Sequence, residues 1–403
     1  MASGYPLPQQ KSKLLLHKGW GSEVTSPSFH VYRSEIILMI NKLKNQRLTL
    51  GLILRLLLGL AVVIYLGWRI YQTAFGEGTY GPDTWMRFLI TGLVIGGMYA
   101  LIAIGYTLVY GILFMINFAH GEVMMLGTFA GYFVLEAFAA IPAPTVANPD
   151  LNFLNAQPVI ALVLTFLVGA GFSALMGYML EKIAYRPLRG APRLIPLISA
   201  IGASIFLQNA AQLLFGPQRR QYLNPDFLWR GTGWMILVGG KEVMLTYTGV
   251  FSFVLSILLM IGLFIMVKKT KLGKSMRAVA ENKQAAALMG IDVDSVISKT
   301  FIISGILAGA AGVMWGLHNG LFNHFVGFLP GIKAFTAAVL GGIGNIPGAM
   351  MGGMLLGLLE SIGPALLGID FQLKDVIAFT ILILVLIFRP SGLLGEALSE
   401  EKV

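Results

Sequence analysis

His120 and Glu122 stand two apart at the end of a polar break, Asn117-Phe118-Ala119-His120, inside otherwise apolar sequence. Ionisable groups at membrane depth are often functional, so the pair invites a metal or proton-relay role. A plainer account places Glu122 in the first turn of the helix after the break, where a carboxylate interacts favourably with the helix dipole. His318 and His324 are lone histidines in a glycine-rich segment, and no H-E-x-x-H spacing occurs anywhere, so a membrane hydrolase lacks its constellation. The only GKS, Gly273-Lys274-Ser275, has Lys268 where the first glycine of a phosphate-binding G-x-x-x-x-G-K-[ST] loop belongs. It reads instead as the basic exit from a membrane helix, with Ser275 as the expected N-cap of the next one. With no cysteine in the chain, thiolate chemistry, disulfides and Cys-ligated metals are excluded.

The elements that position these residues are membrane elements. Of 403 residues, 56% are hydrophobic and 12% charged, against about 25% charged in soluble domains. The net charge of +10 is gathered into short stretches. Lys182, Arg186, Arg189 and Arg193 form one basic loop, and Lys268, Lys269, Lys271, Lys274, Arg277 and Lys283 a second. Between spans such clusters mark cytoplasmic loops and give no ground for a nucleic-acid partner.

Residues 1–47 read as a polar cytoplasmic extension, unless translation begins at Met39. An extra N-terminal span is expected over 48–75, and a transmembrane domain over 86–390 with a cytoplasmic loop at 268–297, followed by a polar tail, 391–403. Apolar runs predict spans at Phe88–Asn117, Gly121–Ala139, Pro158–Leu180, Leu194–Phe215, Val243–Val267, Lys299–Gly320 and Val376–Phe388. Ala334–Leu359 is broken by Gly341-Gly342-Ile343-Gly344-Asn345-Ile346-Pro347-Gly348, and predicts two shorter helices or a re-entrant hairpin in the protein interior. The fold class is therefore an all-α polytopic membrane protein of about eight to ten helices, broken segments included, at roughly 20 residues per span. Small residues four apart at Gly92/Gly96, Gly305/Gly309, Gly312/Gly316, Gly348/Gly352 and Gly353/Gly357 predict close helix contacts. Alternating the spans from a cytoplasmic N-terminus puts Gly216–Glu242 outside despite Arg219, Arg220, Arg230 and Lys241, against the usual charge bias.

Met276–Gly290 carries the strongest functional signal. Its alanines favour helix, and Gly290 offers a stop. A helix this short needs a docking surface, and its small side chains suit the groove of a partner.

Here Gln284-Ala285-Ala286 followed by Gly290 resembles the E-A-A-x-x-x-G loop of ABC-importer permeases, with Gln284 in place of glutamate. Gly105-Tyr106-Thr107-Leu108-Val109-Tyr110-Gly111 leading to Asn117-Phe118-Ala119-His120-Gly121-Glu122 is similar to the permease of branched-chain amino-acid ABC transporters. So are Glu181-Lys182-Ile183-Ala184-Tyr185-Arg186-Pro187-Leu188-Arg189 and the stretch Lys333–Ala349. The resemblance covers Phe88 to the C-terminus. It implies the ABC-importer permease fold in a bacterial inner membrane and a non-catalytic subunit. Implied partners are a second related permease, two cytoplasmic ATPases, an extracytoplasmic substrate-binding protein and membrane lipid. No cofactor is expected on this chain, and ATP and Mg would be used by the ATPases. Arg277, Glu281, Gln284, Ala285, Ala286 and Gly290 would form the ATPase-coupling loop. The translocation path is expected beside the two breaks, at Asn117, His120, Glu122, Gly344 and Asn345, because interrupted helices aim their ends at a solute. Permeases for urea, amides or other amino acids resemble it closely. A proton- or sodium-coupled carrier acting alone would need paired charges inside its spans, and the central spans read as uncharged.

Overall fold

The structure, a computed structural model, describes residues 60, 61, 64, 65, 67–69 and 71–73, then 80–395 apart from 145–147 and 193. The extension 1–47, the start at Met39, most of the span at 48–75 and the tail beyond 395 lie outside the described residues. Two units divide the chain at Leu66. In the first, residues 60, 61, 64 and 65 are helical. The second begins at Gly67 and holds every other described residue.

The longer helices of this second unit are α1 (Pro82–Leu113), α2 (His120–Ala140), α3 (Pro158–Leu180), α4 (Leu194–Phe215), α5 (Tyr247–Lys269), α6 (Lys271–Glu281), α7 (Lys283–Leu288), α8 (Val293–Asn319), α9 (Phe328–Gly341), α10 (Ile346–Leu367) and α11 (Lys374–Phe388). Among the described residues eight helical segments are long and apolar enough to cross a membrane, and α9 is a shorter apolar helix. The described part is thus a polytopic helical membrane protein. Two minor ladders accompany the helices: β1 (Arg220–Gln221) with β4 (Leu321–Phe322), and β2 (Gly233–Val238) with β3 (Lys241–Thr246).

The second ladder was expected to be loop, with a span starting at Val243. Instead Val243 lies in β3, and α5 starts at Tyr247 behind Thr246, whose hydroxyl accepts from the Gly249 N–H. Gly239 and Gly240, both at positive φ (59° and 79°), make the tight reversal that such a hairpin requires. The hairpin lies over the start of α1, where Arg87 donates to the Glu242 carbonyl at 2.5 Å and Lys241 lies 3.7 Å from Asp83. The bases that sat uneasily in this loop are largely engaged internally. Arg230 donates to the carbonyls of Leu317 and Tyr222 and to Asn224, and Arg220 donates to the Phe215 carbonyl.

Two glycine seams hold the bundle. Gly92 and Gly96 of α1 pack on Gly357 and Gly353 of α10, while Gly305 and Gly309 of α8 pack on the Ser173 and Gly169 backbone of α3. In lipid, where burial of apolar surface offers helices little reason to associate, such close backbone approach supplies the van der Waals contact. A Cβ at Gly357 would lie 2.4 Å from the Gly96 backbone, whereas one at Gly171 meets nothing within 4 Å. Gly357→Val is therefore expected to cost about 1–3 kcal/mol or more in thermal unfolding in detergent, and Gly171→Ala to leave the midpoint unchanged or slightly raised.

The two seams are related. α1–α2–α3–α4 and α8–α9–α10–α11 repeat one arrangement in opposite directions: long helix, break, then a helix starting within the bundle. Each break opens on an asparagine turn. Asn117 accepts from the Ala119 N–H and Asn323 from the Phe325 N–H, both at 3.1 Å, and each asparagine carbonyl accepts from the N–H three residues on, of His120 or Val326. Four residues after each asparagine comes a glycine, and these two glycines, Gly121 and Gly327, abut. α2 and α9 thus begin back to back and run to opposite ends, an inverted repeat of the kind that places transport sites at the repeat interface.

Candidate functional site: the broken helices and the α6–α7 tip

α1 ends at Leu113 because Phe114 turns left-handed (φ 55°), the sole non-glycine residue at positive φ among those described. The chain then folds back along α1, so that His120 lies against Gly105, two turns before the end of that helix. A Cβ at Gly105 would sit 2.2 Å from His120 Nε2, so only glycine admits the ring. Ser304 of α8 donates to the Gly105 carbonyl at 3.1 Å and lies 3.4 Å from His120 Nδ1, and Tyr106 meets the imidazole edge-on. Asn117 is buried, and its Oδ1 also accepts from the Tyr185 hydroxyl at 2.9 Å. Asn117 and His120 are accordingly engaged in shaping the break.

Glu122 stands in the first turn of α2, as its spacing from the break predicts. Its Oε1 accepts from Gln208 Nε2 at 2.6 Å and Ser204 Oγ at 3.2 Å, both on α4. Its side chain lines a cavity of about 300 Å³ between α2, α4 and α9. Among the described residues no cluster of three histidine, cysteine or acidic side chains could hold a metal.

Gly344 and Asn345 lie elsewhere. Gly344 is near Gly111, toward the end of α1, and Asn345 caps α10 by accepting from the Gly348 N–H at 3.2 Å. Its Nδ2 donates to the Leu394 carbonyl at 2.7 Å, while the Leu393 and Leu394 N–H groups donate to the carbonyls of Leu340 and Gly341. Residues 393–394 thus bind back onto the last turn of α9 and satisfy carbonyls that the break would leave open. Both Gly344 and Asn345 line a second cavity, of about 410 Å³, which also takes in Tyr110, Lys268, Arg277 and Glu281. The structure therefore joins the glycine-rich break to the α6 loop and separates it from the Glu122 cavity.

The expected single helix over 276–290 is two. Asn282, at φ −155° and ψ 110°, interrupts it and caps α7 by accepting from the Ala285 N–H at 2.9 Å, the local competition by which asparagine breaks helices. The first helix starts earlier than Ser275 allows, since Thr270 caps α6 by accepting from the Gly273 N–H, and Ser275 donates to the Lys271 carbonyl. Arg277 donates to the carbonyls of Val267 and Lys268 and closes the C-terminal end of α5, where a cation is favoured. Glu281, Gln284, Ala285 and Gly290 are exposed, Ala286 is buried, and Gly290 takes φ +82° to end the turn. Partial desolvation, then the nearby Arg189 charge, pull the ammonium of Lys283, itself exposed, below its usual pKa. Sequence reasoning missed the tip's exposed large apolar side chains, Leu288 at 89% and Met289 at 83%. They continue the alanine run on a polar loop, and that was the available signal.

The expectation of uncharged central spans fails. Lys333 of α9, 2% exposed, lies 2.8 Å from Glu360 of α10 and 2.5 Å from Asp375 of α11. Glu360 also accepts from the Tyr99 hydroxyl of α1 at 2.9 Å and lies 3.4 Å from Lys374. Lys333 and Glu360 flank the apolar stretch 334–359, so neither interrupts it. The lack of paired charges cannot then be the ground for setting aside an ion-coupled carrier.

Comparison with known proteins supplies a different ground. The family model for the permease component of the branched-chain amino acid transport system matches residues 88–386. The high-affinity branched-chain amino acid transport system permease protein BraD of Pseudomonas aeruginosa is 45% identical over 314 residues, 77% of this chain and 96% of the relative. LivH of Escherichia coli, with the same description, is 42% identical over 320 residues, again 77% and 96%. The probable branched-chain amino acid transport permease protein LivH of Methanocaldococcus jannaschii is 29% identical, covering 78% and 94%. No solved structure matches the chain.

Proposed function

The chain belongs to the family of branched-chain amino acid transport system permease components, and we propose on that ground that it forms the membrane passage of an ABC importer for leucine, isoleucine and valine. The observation that carries this is the extent of the family match: residues 88–386 contain both broken helices, the Glu122 cavity and the whole α6–α7 tip. It is a transport subunit rather than an enzyme. ATP would be hydrolysed, with Mg, by two separate ATPases gripping α6–α7, while a second related permease and an extracytoplasmic binding protein complete the assembly. The α6–α7 end would then face the cytoplasm of a bacterial inner membrane. Movement of the tip would reach the glycine-rich break directly, since Arg277 and Asn345 line one cavity, and tilting helices would open the passage to alternate sides.

Radiolabelled uptake in a strain lacking the chain tests the substrate. Restoring the chain should restore leucine uptake that isoleucine and valine compete and urea and glutamate do not. Competition by urea would instead select an amide permease. Membrane vesicles holding this chain alone should take up nothing, and uptake there would mark an autonomous carrier.

A further inference from the structure

The cavity between α2, α4 and α9 has two kinds of wall. Phe118, Ile201, Ile205, Phe328 and Ile332 make it apolar, and Glu122 is the single charged side chain among the described residues lining it. One carboxylate oxygen is occupied by Gln208 and Ser204. The other, Oε2, is buried and finds no hydrogen-bond partner among the described residues. A carboxylate 1% exposed, with half its acceptor capacity unfilled, is unfavourable until a donor reaches it. The interior acids of the ionic cluster differ: Glu360 is already met by Lys333, Lys374 and Tyr99, and Asp375 by Lys333. The open acceptor in an apolar cavity is therefore Glu122.

We propose that Glu122 Oε2 receives the ammonium group of the transported amino acid, while the isoleucine and phenylalanine walls take its branched side chain. This rests on the permease function above and names the contact within the passage that serves it. A zwitterion with an aliphatic side chain would otherwise cross an apolar wall with three strong N–H donors unmet. A carboxylate acceptor supplies a charge-assisted bond, roughly twice as strong as a neutral one. The volume, about 300 Å³, falls at the lower end of the roughly 300–1,000 Å³ of small-molecule sites. Urea and amides bring no ammonium group, so the same carboxylate would discriminate against them.

The chain has no cysteine, so Ile201→Cys in the full-length chain, labelled in its assembly in the native membrane and then read on the isolated chain, reports on the cavity alone. Labelling by a cationic methanethiosulfonate should exceed labelling by its anionic counterpart by about tenfold, the factor that roughly 1.4 kcal/mol produces. Adding Glu122→Gln should abolish that preference, while glutamine keeps an oxygen for Gln208 and Ser204. 3-Methylbutylamine, the leucine skeleton without the carboxylate, should slow labelling, and 4-methylpentanoate, the skeleton without the amine, should not. This contrast needs no Glu122 variant and holds even if that variant fails to assemble. Equal protection by the two ligands, or a charge preference that survives Glu122→Gln, overturns the assignment. Leucine uptake unchanged in Glu122→Gln overturns it while leaving the permease function standing. Amine protection through Glu122 without uptake of any branched-chain amino acid supports the ammonium site and removes the substrate proposed for the permease.

Discussion

Replacing Glu360 with leucine is expected to destabilise the folded chain by about 1–3 kcal/mol, because buried Lys333 would keep only Asp375 and the buried Tyr99 hydroxyl would lose its acceptor. The cluster ties four helices: Tyr99 of α1, Lys333 of α9, Glu360 of α10, and Lys374 and Asp375 of α11. Removing Glu360 alone leaves Lys333 to Asp375 and the Tyr99 hydroxyl without its acceptor, whereas removing Lys333 and Glu360 together takes away the buried cation along with the bond. Lys333→Met combined with Glu360→Leu should therefore melt closer to the unaltered chain than Glu360→Leu alone. Tryptophan fluorescence during thermal unfolding in detergent provides the measurement, since Trp315 lies 5.9 Å from the Tyr99 ring. A Glu360→Leu chain that melts like its parent would show that the cluster contributes nothing to holding these helices.

The second large effect is expected at the α6–α7 tip. Leu288 and Met289 are among the most exposed apolar side chains described, at 89% and 83%, in a loop rich in lysine. Leu288→Asp with Met289→Asp should leave the fold intact, because neither side chain is packed, and should release the ATPases. Anchors of this kind are worth about 2 kcal/mol or more, so co-purification and uptake should fall by roughly 30-fold. Ala286→Asp acts differently: Ala286 is buried, and a charge there disturbs how α7 sits on the bundle. Normal co-purification and uptake in the double variant would remove the tip from the coupling machinery.

Much of the architecture is legible along the chain because lipid imposes a one-dimensional rule. A helix must satisfy its own backbone, so long uncharged runs mark spans wherever they occur. The glycine pairs at 92/96 and 305/309 are legible for the same reason: a spacing of four puts them on one face, and they lie in the two seams. The hairpin at 233–246 was legible too, through Gly239-Gly240 between apolar runs, but the expectation of an all-helical chain concealed it. Local side chains moved the ends of other elements. Asn282 divides the tip helix, and Thr270 rather than Ser275 starts it, because several nearby residues can cap a helix and sequence does not rank them.

The chain's own order of residues determined its membrane class, its spans, the two breaks and the family to which it belongs. Only the tertiary structure decided what the polar residues at those breaks do. Glu122 meets Gln208 across 86 residues, and Lys333 meets Glu360 across 27. Periodicity describes one helix at a time, whereas a buried charge is settled by whichever distant helix supplies its partner. The same holds for Gly121 and Gly327, whose contact brings two helix starts together. Asn345, by contrast, shares its cavity with Arg277 at the α6 end rather than with Glu122, because the direction of α9 carries its end away from the helix starts.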